Sequence, residues 1–183
     1  SESVVWCPQS PSHVREEQST RSEQVVRTLY IGDIFYHGHG VSQDQLKAKR
    51  YYRVGSDAGD TYCLGMCHSL GIGVEADSKE ASRLFKRAAD QGHAGAQTHL
   101  GCMYYFGEGV PKDLKEAVRL LKLAVDQGHS EAQVVLGYMH KYGIGVPKNL
   151  KERARLFKLA ADQGRAYAQV LLGDMYCNGD GVP

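Results

Sequence analysis

A pattern that recurs every 36 residues constrains the fold of this chain more strongly than any local propensity. Gly107 and Gly143 occupy the same place in two copies of the pattern, 36 residues apart. A further copy begins at Leu172, and Gly71 marks an earlier copy at the same interval. Self-similarity at a period of roughly 20 to 50 residues is typical of repeat architectures, so we expect a stack of similar units.

The earliest copy is shorter than the others. Gly38 precedes Gly71 by 33 residues, and the three missing residues fall between Asp60 and Leu64. We expect the first helix of that unit to be clipped and the stacking angle to change there.

Each unit contains two apolar stripes at helical spacing. The first, helix A, is represented by Ala96, Leu100 and Met103, and the second, helix B, by Leu114, Ala117, Leu121 and Ala124. Gly101 lies inside helix A, where a glycine costs about 1 kcal/mol relative to alanine. This cost predicts that a neighbouring helix approaches the backbone closely at Gly101.

Glycine, proline and capping residues separate the helices. Gly107 and Gly109 can adopt positive φ angles, and Pro111 cannot continue helix A. Helix B is expected to begin after an Asp or Asn with Glu three residues later, which resembles a capping box. These N-caps are Asp77, Asp113 and Asn149, and the matching C-terminal glycines are Gly92, Gly128 and Gly164.

These features predict an all-α solenoid of about four and a half helix-turn-helix units. A single hairpin of this length cannot bury its apolar face alone, so each unit must pack on the next. We place a flexible tail at residues 1–21 and the repeats at 22–183. The expected units are about 22–59, 60–92, 93–128, 129–164 and an incomplete 165–183.

The frame Ala-x-x-x-Leu-Gly-x-Met-Tyr-x-x-Gly-x-Gly-Val-x-x-Asp resembles the Sel-1-like repeat, a relative of the tetratricopeptide repeat. The resemblance covers about residues 28–183 and departs from the frame at Arg153, His68 and His140. It implies a right-handed α/α superhelix that acts as an adaptor or scaffold for protein complexes.

Charge and cysteine content restrict the compartment and the partners. The formal net charge is +1, which does not favour nucleic acid, and no segment is apolar enough to span a membrane. Five cysteines at irregular spacings argue against a disulfide framework and favour a reducing compartment, the cytoplasm.

No catalytic, cofactor or metal site is predicted. The Gly-x-Gly loops lack the strand and the Gly-Lys-Ser/Thr sequence of nucleotide-binding loops, so we interpret them as turns. Cys63, Cys67 and His68 suggest a metal site, but Cys67 aligns with Met103 and is better interpreted as a buried apolar residue. His93 and His129 are interpreted as turn residues.

Positions that vary between units while the frame stays fixed are candidates for partner binding. If the solenoid curves as tetratricopeptide arrays do, helix A presents them on the concave face. The candidates are Tyr62, Met66, Thr98, Cys102, Tyr105, Val134, Tyr138, Lys141 and Asp174. Tyr105 and Tyr138 are the preferred anchors, because tyrosine is enriched at binding hot spots.

The sequence therefore predicts a non-catalytic scaffold that presents a concave helical groove to other proteins. Two alternatives remain: a hydrolase of the β-lactam-binding, cysteine-rich Sel-1-like type, and an RNA-binding helical repeat. Proteins of the first type carry a regular cysteine pair in each unit, and this chain does not. The neutral charge disfavours the second alternative. Self-association through an uncapped last unit is a further expectation.

Overall fold

The computed structural model describes residues 45–179, which form eight α-helices and no strand. The all-α prediction is confirmed for this range. The helices are α1 Gln45–Asp57, α2 Thr61–Leu70, α3 Ser78–Asp90, α4 Ala94–Phe106, α5 Leu114–Asp126, α6 Ser130–Tyr142, α7 Leu150–Asp162 and α8 Ala166–Asn178. The even-numbered helices are the A helices of the repeat, and the odd-numbered ones are the B helices. None of them has the length and apolar character that a membrane span requires.

Each helix packs mainly against the helices that precede and follow it in the chain. Within one unit the two helices are antiparallel, as hydrogen bonds at both ends show. Asp113 N donates to Tyr104 O at one end, 3.0 Å away, and Gln127 Nε2 donates to Gln97 Oε1 at the other, 2.7 Å away. The hairpins therefore stack in chain order, which confirms the predicted solenoid.

The N-caps of the B helices follow the sequence prediction, but the capping box does not. The Asp113 carboxylate accepts hydrogen bonds from Lys115 N and Glu116 N, as a capping residue should. Its own backbone N–H donates to Tyr104 O in the preceding helix. The Glu116 side chain therefore pairs with Arg119, at 2.6 Å, instead of returning to the cap. The capping-box interpretation is wrong for this reason.

The turn from helix B to helix A uses one histidine for two purposes. Gly92 has φ +87°, and His93 N donates to Ala88 O, which closes the C-terminus of α3. His93 Nδ1 then accepts a hydrogen bond from Ala96 N, 3.0 Å away, and caps α4. The turn interpretation of His93 is confirmed, and its capping role was not foreseen.

The A helix of the short unit is clipped as predicted. Helix α2 has 10 residues, whereas α4 has 13. Asp60 caps it by accepting from Cys63 N, so the deletion lies directly after the cap. The predicted change of stacking angle stays a prediction. The tail at 1–21, the first A helix and residues 180–183 lie outside the described residues.

Arg153 takes the place of a small alanine and is nevertheless buried. Only 4% of its surface is exposed, and its guanidinium carbon lies 5.3 Å from the centre of the Phe157 ring. The aromatic face favours the cation there, which lets the unit accommodate a charged side chain inside the stack.

Candidate functional site

A pocket of about 280 Å³ opens between the C-terminal halves of α4 and α6. We call it the A-face pocket, because two consecutive A helices and the loop after α6 form it. Its walls are mostly aromatic and aliphatic. The lining residues are Cys102, Tyr105, Phe106, Val135, Tyr138, Met139, Tyr142 and Ile144.

Four aromatic rings define the shape of this pocket. Tyr105 and Phe106 meet edge to face with ring centres 4.7 Å apart, and Tyr138 and Tyr142 lie nearly parallel at 6.4 Å. Phe106 is 63% exposed and Tyr142 is 60% exposed. Large apolar side chains of this exposure on adjacent helices are the feature that marks interaction sites on protein surfaces.

Tyr138 is the most firmly held of the four rings. Its edge packs against the Phe157 ring at 5.5 Å, and its hydroxyl lies 2.5 Å from the Tyr167 hydroxyl. Burial, and then the hydrogen bond with Tyr167, raises the pKa of Tyr138 above its usual range. The phenol is therefore neutral at physiological pH, and its hydroxyl is engaged by the next unit.

Cys102 contributes a thiol that behaves as an apolar group. Burial raises its pKa to about 12, and the nearby carboxylates of Glu131 and Glu108 act in the same direction. Since reactive cysteines depend on a lowered pKa, Cys102 lacks the environment of a nucleophile. It completes an uncharged wall.

Charged groups stand around the pocket rather than inside it. Lys112 Nζ lies 5.7 Å from the centre of the Tyr105 ring, and Lys141 Nζ lies 5.0 Å from that of Tyr142. Glu108 is exposed on the loop after α4. Neither lysine lines the pocket, but each lies over a ring of its wall.

The N-terminal ends of the A helices are joined by polar contacts, and no pocket lining comes from them. Thr98 Oγ1 lies 3.0 Å from Nδ1 of His129 at the start of α6. One unit later, Arg165 Nε donates to Ser130 Oγ at 2.9 Å. Consecutive A helices thus touch at one end, and the opening lies towards the other.

The structure divides the predicted partner-binding residues into four groups. Cys102, Tyr105 and Tyr138 line the A-face pocket, Lys141 stands at its edge, and Asp174 is exposed on α8 away from it. The other four are buried, with exposures of 2%, 1%, 1% and 9%: Tyr62, Met66, Thr98 and Val134.

For those four residues, the premise that variable positions do not serve packing is wrong. Tyr62 stacks on His93 with ring centres 4.2 Å apart, directly after the clipped start of α2. Thr98 and Val134 occupy the first half of their A helices, where neighbouring helices touch. Met66 belongs to the apolar core. Their side chains are unavailable to a partner on the surface.

Two prominent residues of the pocket were missed. Phe106 and Tyr142 are the last residues of their helices, directly before the frame glycine, at a position that the frame leaves open and that was not among the candidates. This position holds Leu70 and Asn178 in other units. The same criterion of variation between units, applied one residue further along, identifies them.

The suggested metal site has no support in the geometry. Cys63 is fully buried and Cys67 is 2% exposed, and burial raises the pKa of the Cys67 thiol. Between residues 45 and 179, no group of three or more His, Cys, Asp or Glu side chains is arranged to hold a metal ion. The apolar interpretation of Cys67 is confirmed by its burial.

The stacked hairpins define an α-helical repeat protein, and the A-face pocket is an apolar opening between two of its A helices. The Sel1 repeat pattern matches residues 29–60, 62–93, 94–129, 130–164 and 166–183. The chain therefore belongs to the Sel1 repeat family, whose members are typically scaffolds for protein interactions and generally not enzymes.

Solved structures agree with this assignment. A protective antigen present in uropathogenic Escherichia coli strains, which displays an SLR fold, is 32% identical, with a TM-score of 0.65 over 91% of this chain and 36% of its own. A Sel1 repeat protein from Oxalobacter formigenes is 26% identical, with a TM-score of 0.65 over 91% of this chain and 68% of its own.

A third structure, cysteine rich protein B of Helicobacter pylori, is 25% identical, with a TM-score of 0.54 over 71% of this chain and 96% of its own. The present chain spans only 36% of the E. coli antigen. Among curated proteins, none matches this sequence.

Proposed function

We propose that this chain is a non-catalytic protein-interaction scaffold and that the A-face pocket receives an apolar side chain of its partner. The observation that carries the proposal is the set of four aromatic rings around one opening, two of them more than half exposed. Burying these rings against a partner removes apolar surface from water, which favours association.

The surroundings of the pocket support binding rather than catalysis. Its wall contains no carboxylate, imidazole or cation, and its one thiol has a raised pKa. The four cysteines between residues 45 and 179 are free, which disfavours the cysteine-rich hydrolase alternative. The uncharged wall also disfavours RNA, because nucleic-acid binding depends on phosphate contacts. The cytoplasmic location stays a proposal.

The test compares two double variants that each remove two exposed apolar side chains. Phe106→Ala/Tyr142→Ala removes the exposed rings of the pocket, whereas Leu123→Ala/Leu159→Ala removes exposed leucines from B helices. Both should fold, because all four side chains are more than a third exposed. Affinity capture from a lysate of the source organism, with quantitative mass spectrometry, should show loss of partners for the first variant only. Identical partner lists for both variants and the wild type would contradict the proposal.

A further inference from the structure

The dimensions of the A-face pocket limit what can enter it. Ligand pockets for small molecules commonly measure about 300–1,000 Å³ and enclose most of the ligand. At about 280 Å³, this pocket lies just below that range. It has room for one large side chain of a peptide, whose backbone then stays outside along the edge.

The wall specifies the character of that side chain. Val135, Met139 and Ile144 supply aliphatic contacts, and the aromatic rings supply the remainder. The Tyr138 hydroxyl already has the Tyr167 hydroxyl as its partner, 2.5 Å away. Because the wall is mostly apolar, a charged group inside would lose its hydration with few polar atoms to replace it, which is costly.

The charged residues near the pocket indicate which residues flank that apolar side chain in the partner. The ammonium groups of Lys112 and Lys141 lie over two rings of the pocket wall that belong to different helices, Tyr105 of α4 and Tyr142 of α6. Within residues 45–179, neither lysine forms an ion pair with a carboxylate, whereas Glu131 is 3.6 Å from Arg165. Two carboxylates, Glu131 and Glu108, act on Cys102 in the pocket wall; Glu131 has Arg165 beside it, and Glu108 is exposed. The two lysines outnumber it at the edge.

We infer that the partner of the A-face pocket is a peptide segment with one large apolar side chain flanked by aspartate or glutamate. This inference rests on the proposed function and adds the chemistry of the ligand. The apolar side chain enters between the rings, and the carboxylates meet Lys112 and Lys141. Charges at the edge of an interface mainly affect the association rate and its salt dependence, so the acidic flanks give selectivity more than affinity.

The test is a selection from a phage-displayed library of random peptides on the immobilised chain. We expect enrichment of sequences with Trp, Phe or Leu next to Asp or Glu. The selected peptides, made synthetically with a fluorophore, should bind Lys112→Glu/Lys141→Glu roughly three- to tenfold more weakly than wild type. The control Lys115→Glu/Lys151→Glu changes the net charge equally on exposed B-helix lysines and should bind as wild type does.

The outcomes separate this inference from the function on which it rests. Enriched peptides with an apolar residue but no acidic flank, or binding that is indifferent to Lys112→Glu/Lys141→Glu, would overturn the acidic-peptide inference alone. No enrichment, or equal binding to Phe106→Ala/Tyr142→Ala, would overturn the pocket as a docking site. A dimer in sedimentation that dissociates in that variant would assign the pocket to a second copy instead.

Discussion

At the scale of single residues, glycines inside the A helices set the distance between the two helices of a unit. A Cβ at Gly137 would lie 2.5 Å from Cε1 of Phe157, a ring that is fully buried. A Cβ at Gly101 would lie 3.1 Å from Leu121 Cγ. The close approach that the sequence predicted at Gly101 is thereby confirmed.

We expect Gly137→Ala to destabilise the protein by about 1–2 kcal/mol. Overpacking a dense core costs about 1–3 kcal/mol, and the better helix propensity of alanine returns up to about 1 kcal/mol. Gly173→Ala is the matched control, because nothing lies within 4 Å of its Cβ position in α8. That variant should be neutral or slightly more stable. Urea denaturation measures both, and equal effects at the two sites would contradict the contact argument.

At the scale of elements, the loop after each A helix joins one unit to the unit before it. Gly107 has φ +78° and ends α4, whereas Gly109, with φ +67°, lies against the backbone at the start of α3. A Cβ at Gly109 would collide with the carbonyl group of Ser78. The turn interpretation of the Gly-x-Gly loops is confirmed, and the second glycine also serves contact between units.

Gly109→Ala should therefore lower the stability of the protein more than the same substitution at another glycine with a positive φ. A positive φ alone costs about 1–2 kcal/mol for a residue with a Cβ. Gly128 has φ +80° and open space around its Cβ position, so Gly128→Ala isolates that cost. We expect Gly109→Ala to lose a further ~1–3 kcal/mol because the units must separate. Thermal unfolding followed by circular dichroism compares the two, and a smaller loss at Gly109 would argue against this contact.

At the scale of the whole molecule, stability is distributed along the stack. In a solenoid each unit contacts only its neighbours, so the stability of a helix depends on how much of it those neighbours cover. Helix α6 has seven buried residues, whereas α8 has two, Ala168 and Met175.

Hydrogen exchange of this chain should follow that difference. Amides of α8 are expected to exchange faster than those of α6, because opening α8 exposes less buried apolar surface. Mass-spectrometric hydrogen exchange on peptides from the two helices tests this, with α4 as an internal reference of similar coverage to α6. Equal protection in α8 and α6 would contradict the nearest-neighbour picture.

The repeat, the helix pairs, their turns and the clipped α2 could all be predicted from the sequence, because each depends on residues close together in the chain. Glycine, proline and capping residues act within a few positions, and the 36-residue period repeats their effect. Family membership followed from the same positions.

Only the tertiary structure decided which variable side chains reach the surface. Tyr62 and Tyr138 both follow the pattern of variable A-helix positions, yet Tyr62 is enclosed by its neighbours and Tyr138 lines a pocket. The difference depends on how far apart consecutive A helices lie at each point along their length. That separation depends on residues far apart in the chain, such as Thr98 and His129, which are 31 positions apart, and no local pattern encodes it.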